Sequence, residues 1–215
     1  MSQQSAQPIS PNVVWHGAKV TRERREQLHQ HRGAVLWFTG LPSAGKSTVA
    51  NELDDALHRM GLRSYVLDGD NVRHGLCGDL GFTDQDREEN IRRVTEVARL
   101  FLDAGTIVMG AFVSPIRRDR ERARSLFRHG DFLEIYCRCP LDVCEDRDPK
   151  GLYRRALLGV VKNFTGVSAP YEEPINPELV LDTGTHSVQH CVQQLVALLR
   201  EREIIGSEQP LLEAN

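Results

Sequence analysis

Apolar residues in this chain fall in short continuous runs, separated by longer stretches in which they recur at helical spacing. The runs are Ala34–Thr39, Ser64–Asp68, Thr106–Val113, Phe132–Cys137 and Leu179–Asp182. They are too short for helices, and they predict buried strands. Between them, Thr21–His31 and Arg117–His129 are strongly charged and predict helices. Ser47–Met60 is a third, stopped by Gly61, and Val188–Glu203 a fourth that closes the chain. Asp86–Ala104 places Ile91, Val94, Val97, Ala98 and Phe101 on one helical face and ends at Gly105. Strands alternating with helices predict an α/β fold of three layers: a central parallel sheet of about five strands, with helices on both faces. Ligands of such sheets sit at the carboxyl ends of the strands. Residues 148–178 break the pattern, mixing Pro, Gly, Lys and Arg with isolated aromatics. A mobile lid over about 148–170 is expected there. Residues 1–12 and 206–215 are expected to be flexible tails around a single domain at 13–205.

Composition narrows the function classes. A chain of 215 residues, 40% hydrophobic and 27% charged, is long enough for one full core. A net charge of −3 gives no global reason to expect nucleic acid or an anionic membrane as partner. No apolar stretch reaches membrane-spanning length, and Met1–Ser5 lacks the apolar core of a secretion signal, so a cytoplasmic location is expected. Cys137, Cys139 and Cys144 cluster in the sequence but form no Cys-x₂-Cys pair. Buried reduced thiols are expected rather than a zinc site.

The candidate chemistry begins directly after the first strand. Gly40-Leu41-Pro42-Ser43-Ala44-Gly45-Lys46-Ser47 is a Walker A loop, and strand, glycine-rich turn and helix is the context that motif requires. Its backbone N–H groups and the helix N-terminus at Ser47 and Thr48 suit phosphate oxygens. Lys46 can reach the β- and γ-phosphates, and the Ser47 hydroxyl can ligate Mg²⁺. A bound nucleoside triphosphate, taken to be ATP, follows, and the fold becomes a P-loop NTPase type. The second strand ends in Asp68-Gly69-Asp70-Asn71-Val72-Arg73, which brings two carboxylates towards those phosphates. One can hold the metal, and one can take a proton from an attacking hydroxyl. Arg73, Arg87, Lys150, Arg154, Arg155 and Lys162 exceed what one triphosphate needs and imply a second anionic ligand.

These residues closely resemble the signatures of the adenylylsulfate (APS) kinases. The resemblance is carried by Asp68–Leu76, Gly81-Phe82-Thr83, Arg87–Arg93, Phe112-Val113-Ser114-Pro115, Asp148–Tyr153 and Phe164-Thr165-Gly166. It runs from about Asn12 to the closing helix. It implies transfer of the γ-phosphate of ATP to the 3′-hydroxyl of adenosine 5′-phosphosulfate, within sulfate activation. The products are 3′-phosphoadenosine 5′-phosphosulfate (PAPS) and ADP. By this resemblance Gly40–Thr48 and Arg155 hold ATP. Ser47 and Asp68 serve Mg²⁺. Asp70, Asn71, Val72, Arg73, Phe82, Arg87, Glu88, Glu89, Asn90, Val113, Ser114, Lys150, Leu152, Lys162, Asn163 and Phe164 hold APS, with Phe82 and Phe164 sandwiching its purine. Lys46, Asp70 and Ser114 are the catalytic candidates, and a homodimer is implied. Two stretches depart from the family pattern: in the loop Pro42 and Ser43 replace its usual Ser-Gly, and in the lid Asn163 stands where glycine is common and Leu158-Gly159-Val160-Val161 is more apolar than usual.

Ser114 is assigned in parts of the family as a phosphoserine intermediate, and direct in-line transfer is the competing account. No adjacent histidine is evident to activate the serine, which favours direct transfer. Two alternatives stay open: another P-loop kinase of a nucleotide or sugar acid, and a non-catalytic PAPS sensor. Intact Lys46, Ser47, Asp68, Asp70 and Arg73 argue against the sensor. An Asn-Lys-x-Asp guanine motif is absent from the sequence, which argues against a GTPase.

Overall fold

The computed structural model describes residues 12–14 and 16–207. The expected tails therefore lie, but for their innermost residues, outside the described residues. Five parallel strands form one sheet: β1 (Ala34–Thr39), β2 (Ser64–Asp68), β3 (Ile107–Ala111), β4 (Phe132–Arg138) and β5 (Leu179–Asp182). Their order is β2-β3-β1-β4-β5. This puts β1 at the centre, so the loop following it lies between the loops that follow β3 and β4.

All six residues of β1 are fully buried. Period-two geometry divides them between two cores. Ala34, Leu36 and Phe38 join Leu53 and Leu57 of α2 (Lys46–Arg59) and Leu195 and Leu199 of α7 (Val188–Glu201). Val35 and Trp37 join Val94 and Ala98 of α3 (Asp84–Asp103) and Ala123 of α4 (Arg117–Ser125). Truncating a fully buried leucine such as Leu53 to alanine removes about 2–5 kcal/mol from cores of this kind. A short α1 (Arg22–His29) precedes the sheet.

α4 stops at Ser125, short of the expected His129, and α7 at Glu201; three further departures bear on the site. The third strand ends at Ala111, because Phe112 and Val113 leave the sheet ahead of Ser114, which takes φ 37, and Pro115. α3 starts at Asp84, two residues early, because Thr83 and Asp86 form a reciprocal capping box. The expected lid is partly regular, holding α6 (Leu152–Leu157) just after α5 (Leu141–Arg147). Helices this short leave no readable hydrophobic period. The lid is also better anchored than its composition suggests: Tyr153, Ala156 and Phe164 are buried in the first core.

Candidate active site

At the carboxyl ends of the strands lies a cavity of about 810 Å³, near the upper end of ordinary ligand pockets. Its phosphate-binding part is made by backbone. Gly40 (φ 151) cannot carry a side chain, since a Cβ there would sit 2.6 Å from the Cys137 carbonyl oxygen. Gly45 takes φ 86. Ser43 takes φ 61, the left-handed conformation that the family's glycine adopts freely, so the loop closes despite the departure. Helix α2 then starts at Lys46 with no side-chain cap, leaving its first N–H groups for an anion. Gly40, Leu41 and Ala44 shape the loop from behind, with Ala44 fully buried and Leu41 packed on the first core.

Lys46 is buried, and its ammonium donates to Gly40 O at 3.0 Å and Leu41 O at 2.7 Å. Burial pushes its pKa down to about 8. Ser47 Oγ donates to Asp68 Oδ2 at 2.5 Å, and Asp68 Oδ1 accepts the amides of Asp70 and Asn71. A hydroxyl and a carboxylate, both hard oxygen donors, thus meet at the mouth of the loop.

The other half of the cavity is cationic and aromatic. Arg73 donates to the carbonyls of Leu80 and Gly81, and its guanidinium lies 4.3 Å from the centre of the Phe82 ring. Phe82 is 62% exposed. Arg87, one turn into α3, reaches across to the lid and donates to Asn163 O at 2.6 Å and Thr165 Oγ1 at 3.1 Å. Asn163 adopts φ 54, which explains why glycine suits that position. Asn90 is buried on the cavity wall, and its Nδ2 has no hydrogen-bond partner among the described residues. Lys150 pairs with Asp70. Phe164 lies edge-on to Tyr153 with ring centres 4.9 Å apart.

Ser114 lines the same cavity and is 3% exposed. Its Oγ accepts from Trp37 Nε1 at 3.2 Å. No hydrogen bond joins it to a histidine among the described residues. Asn71, Val113 and Leu152 also line the cavity.

Six expected ligand residues lie away from it, Asn163 among them, which meets Arg87 through its carbonyl. Glu88 pairs with Arg122 and with Arg118. Glu89 pairs with Arg92 and Arg93, and these hold its carboxyl down to about 2. Val72 packs into the second core. Arg155 and Lys162 are exposed and do not line the cavity. The spacing that puts Arg87 and Asn90 on one helix face turns Glu88 and Glu89 off it.

Sequence reasoning missed one wall. Arg147, on α5, donates to Thr183 O at 2.7 Å and sits with Thr183, His186 and Cys191 beside the P-loop. Nothing in the local sequence separates Arg147 from a solvated helix charge. All five cysteines are buried and unbridged.

Comparison with known proteins settles the family. The profile of the adenylylsulphate kinase family matches residues 32–182. The chain belongs to the APS kinase family. An adenylyl-sulfate kinase of Prochlorococcus marinus is 58% identical over 194 residues, covering 90% of this chain and 96% of its own. The Mycobacterium tuberculosis APS kinase solved in complex with AMPPNP and APS is 45% identical, with a TM-score of 0.76 over 79% of this chain and 99% of its own. An APS kinase of Thiobacillus denitrificans described as hexameric is 30% identical, with a TM-score of 0.63 over 84% of this chain and 31% of its own. Among the described residues no helix is long and apolar enough to cross a membrane.

Proposed function

We propose that the chain transfers the γ-phosphate of ATP to the 3′-hydroxyl of APS, yielding PAPS and ADP. Two observations carry this reading. A single cavity joins the P-loop to Arg73, Phe82, Arg87, Asn90 and Ser114, and a 45% identical relative was solved with AMPPNP and APS together. The cationic half suits the phosphosulfate, and the aromatic rings suit a purine. The buried amide of Asn90, beside the Cys77 thiol, faces the cavity and can donate to a ligand acceptor.

Phosphoryl transfer calls for positioning and charge neutralisation. Loop amides and the Lys46 ammonium hold the triphosphate and neutralise charge on the transferring group. Ser47 and Asp68 would hold Mg²⁺, a hard cation that takes few protein oxygens beside phosphate and water. When bound, it neutralises phosphate charge. Asp70 orients the 3′-hydroxyl and accepts its proton, which requires Lys150 to leave it for the ligand. Ser114 contacts substrate, and transfer is direct: a buried hydroxyl held by an indole N–H has no base to activate it. Residues 148–170 close over both nucleotides as part of a single kinase domain at 13–205. A cytoplasmic homodimer completes the reading.

The test is ADP release from Mg-ATP with APS, compared with nucleoside monophosphates and gluconate. APS is expected to be the preferred acceptor, and equal or faster turnover with any of the others sinks the proposal. Chirally labelled γ-phosphorus should show inversion. Retention would instead make Ser114 the nucleophile.

A further inference from the structure

Ser114 is held in a conformation that a non-glycine residue seldom adopts (φ 37), in the middle of the loop that faces the substrate. Such strain persists only where neighbours over-determine it. Its carbonyl accepts from Arg120 Nη1 at 2.6 Å, a short charge-assisted bond. Arg120 is 1% exposed, the most buried charge among the described residues. Each of its other polar groups is also used. Nε donates to Glu134 Oε1 at 2.6 Å and Nη2 to Glu172 O at 2.7 Å, while the guanidinium lies 5.8 Å from the Tyr171 ring centre.

The third contact leads back to the lid. Residues 171–173 follow it directly and are stitched to the same loop. Glu172 N donates to Pro115 O at 2.9 Å, and Arg117 N donates to Glu172 Oε2 at 2.7 Å. Tyr171 and Thr39 share a hydroxyl contact at 3.0 Å, and Thr39 donates to Val113 O at 2.8 Å. One planar fork therefore joins β4, the substrate loop and the base of the lid. A buried ion pair is weak evidence for stability, since well-packed apolar residues often do as well. What only a guanidinium supplies here is three donors in fixed directions.

We propose that Arg120 is a positioning residue for the reaction, holding Val113–Ser114–Pro115 in its strained substrate-facing form and tying it to the base of the lid. This rests on the reading of the reaction given above. Lysine at this position keeps the charge opposite Glu134 but cannot meet three acceptors in one plane.

The test compares Arg120→Lys, and the charge-neutral Arg120→Gln/Glu134→Gln, with the full-length wild-type chain. Thermal midpoint, AMPPNP affinity by calorimetry, and kcat and KM for APS are measured. Both variants are expected to fold and to bind AMPPNP within about twofold of wild type. Their kcat is expected to fall about thirty-fold or more, because slight misplacement beside the reacting atoms costs that much. In a Trp15→Phe background Trp37 is the sole tryptophan, and its emission should shift in Arg120→Lys as Ser114 moves off the indole N–H. A kcat of Arg120→Lys within about threefold of wild type overturns the proposal. So does an unchanged Trp37 emission. Failure of both variants to fold, or equal loss of AMPPNP affinity and turnover, makes Arg120 merely structural and also overturns it. If wild type makes no PAPS from APS, the reading of the reaction fails instead, and the Trp37 emission still decides whether Arg120 sets the loop.

Discussion

The phosphate loop of the cavity is one stretch of chain, Gly40–Thr48, walled by Arg147 and residues 183–191, whereas the other half is assembled from four: residues 68–73, 82–90, 113–115 and 148–164. The loop is backbone geometry set by glycines and a helix start, and the one charge within it, Lys46, is buried. The second half is side chains, several of them exposed, held by one another. Arg87 grips the lid carbonyl of Asn163, Lys150 grips Asp70, and Arg73 covers Phe82. Backbone sites are made once, on folding. A site of mutually satisfied side chains must exchange its internal partners for ligand, and so it couples binding to movement.

Lys46→Ala should break the contrast most severely. Turnover is expected to fall about a hundred-fold or more, because the ammonium meets charge built up in the transition state, with the fold intact by circular dichroism. Near-native turnover would place Lys46 away from the phosphates. The same group has a signature in pH. Its free-state pKa is about 8, and phosphates raise it on binding. Above that pH nucleotide binding takes up protons at Lys46, and affinity falls as pH rises. Calorimetry of ADP binding in buffers of different ionisation enthalpy reads this directly, and buffer-independent heats would show that Lys46 does not titrate there.

Asp70→Asn should come next, lowering kcat about a hundred-fold with little change in KM for APS, as loss of a general base does. A change confined to KM would make Asp70 a binding residue.

Arg87→Ala and Arg73→Ala sharpen the division between the halves. Each is expected to weaken APS by about 1.5–3 kcal/mol, roughly ten- to a hundred-fold, and to leave ATP unchanged. Weakened ATP with unchanged APS would reverse the assignment of the two sites.

The smallest effect belongs to the seam between them. Tyr153 OH donates to Pro42 O at 3.0 Å, the contact that fastens α6 to the P-loop. Tyr153→Phe should cost about 1 kcal/mol, lower the thermal midpoint by about 2–4 °C, and speed hydrogen exchange in residues 148–158. Unchanged exchange there would show that packing of the ring, and not its hydroxyl, holds the lid.

Where the chemistry depends on neighbours in sequence, it was legible. The Walker A letters implied a strand before them and a helix after, and β1 and α2 lie there. The five apolar runs became five parallel strands: the inner three are buried on both sheet faces, which leaves no polar alternation to misread, and the edge strands β2 and β5 are only partly covered. Arg87 and Asn90 reached the cavity together because residues three apart share a helix face. That same geometry removed Glu88 and Glu89, whose carboxylates pair with α3 and α4 arginines. Arg147, Arg120 and Thr39 were not legible. Arg147 and Thr39 meet partners 36 and 74 residues away in sequence, and Arg120 joins partners 6, 14 and 52 residues away at once; no local pattern carries such a combination. By itself, then, the amino-acid order determined the sheet, the phosphate loop and the family, since these rest on hydrophobic period, glycine conformations and contiguous motif residues. Only the tertiary structure decided which charges face the cavity, how firmly the lid is rooted, and what keeps Ser114 in its strained turn, because each depends on side chains that meet only after the chain has folded.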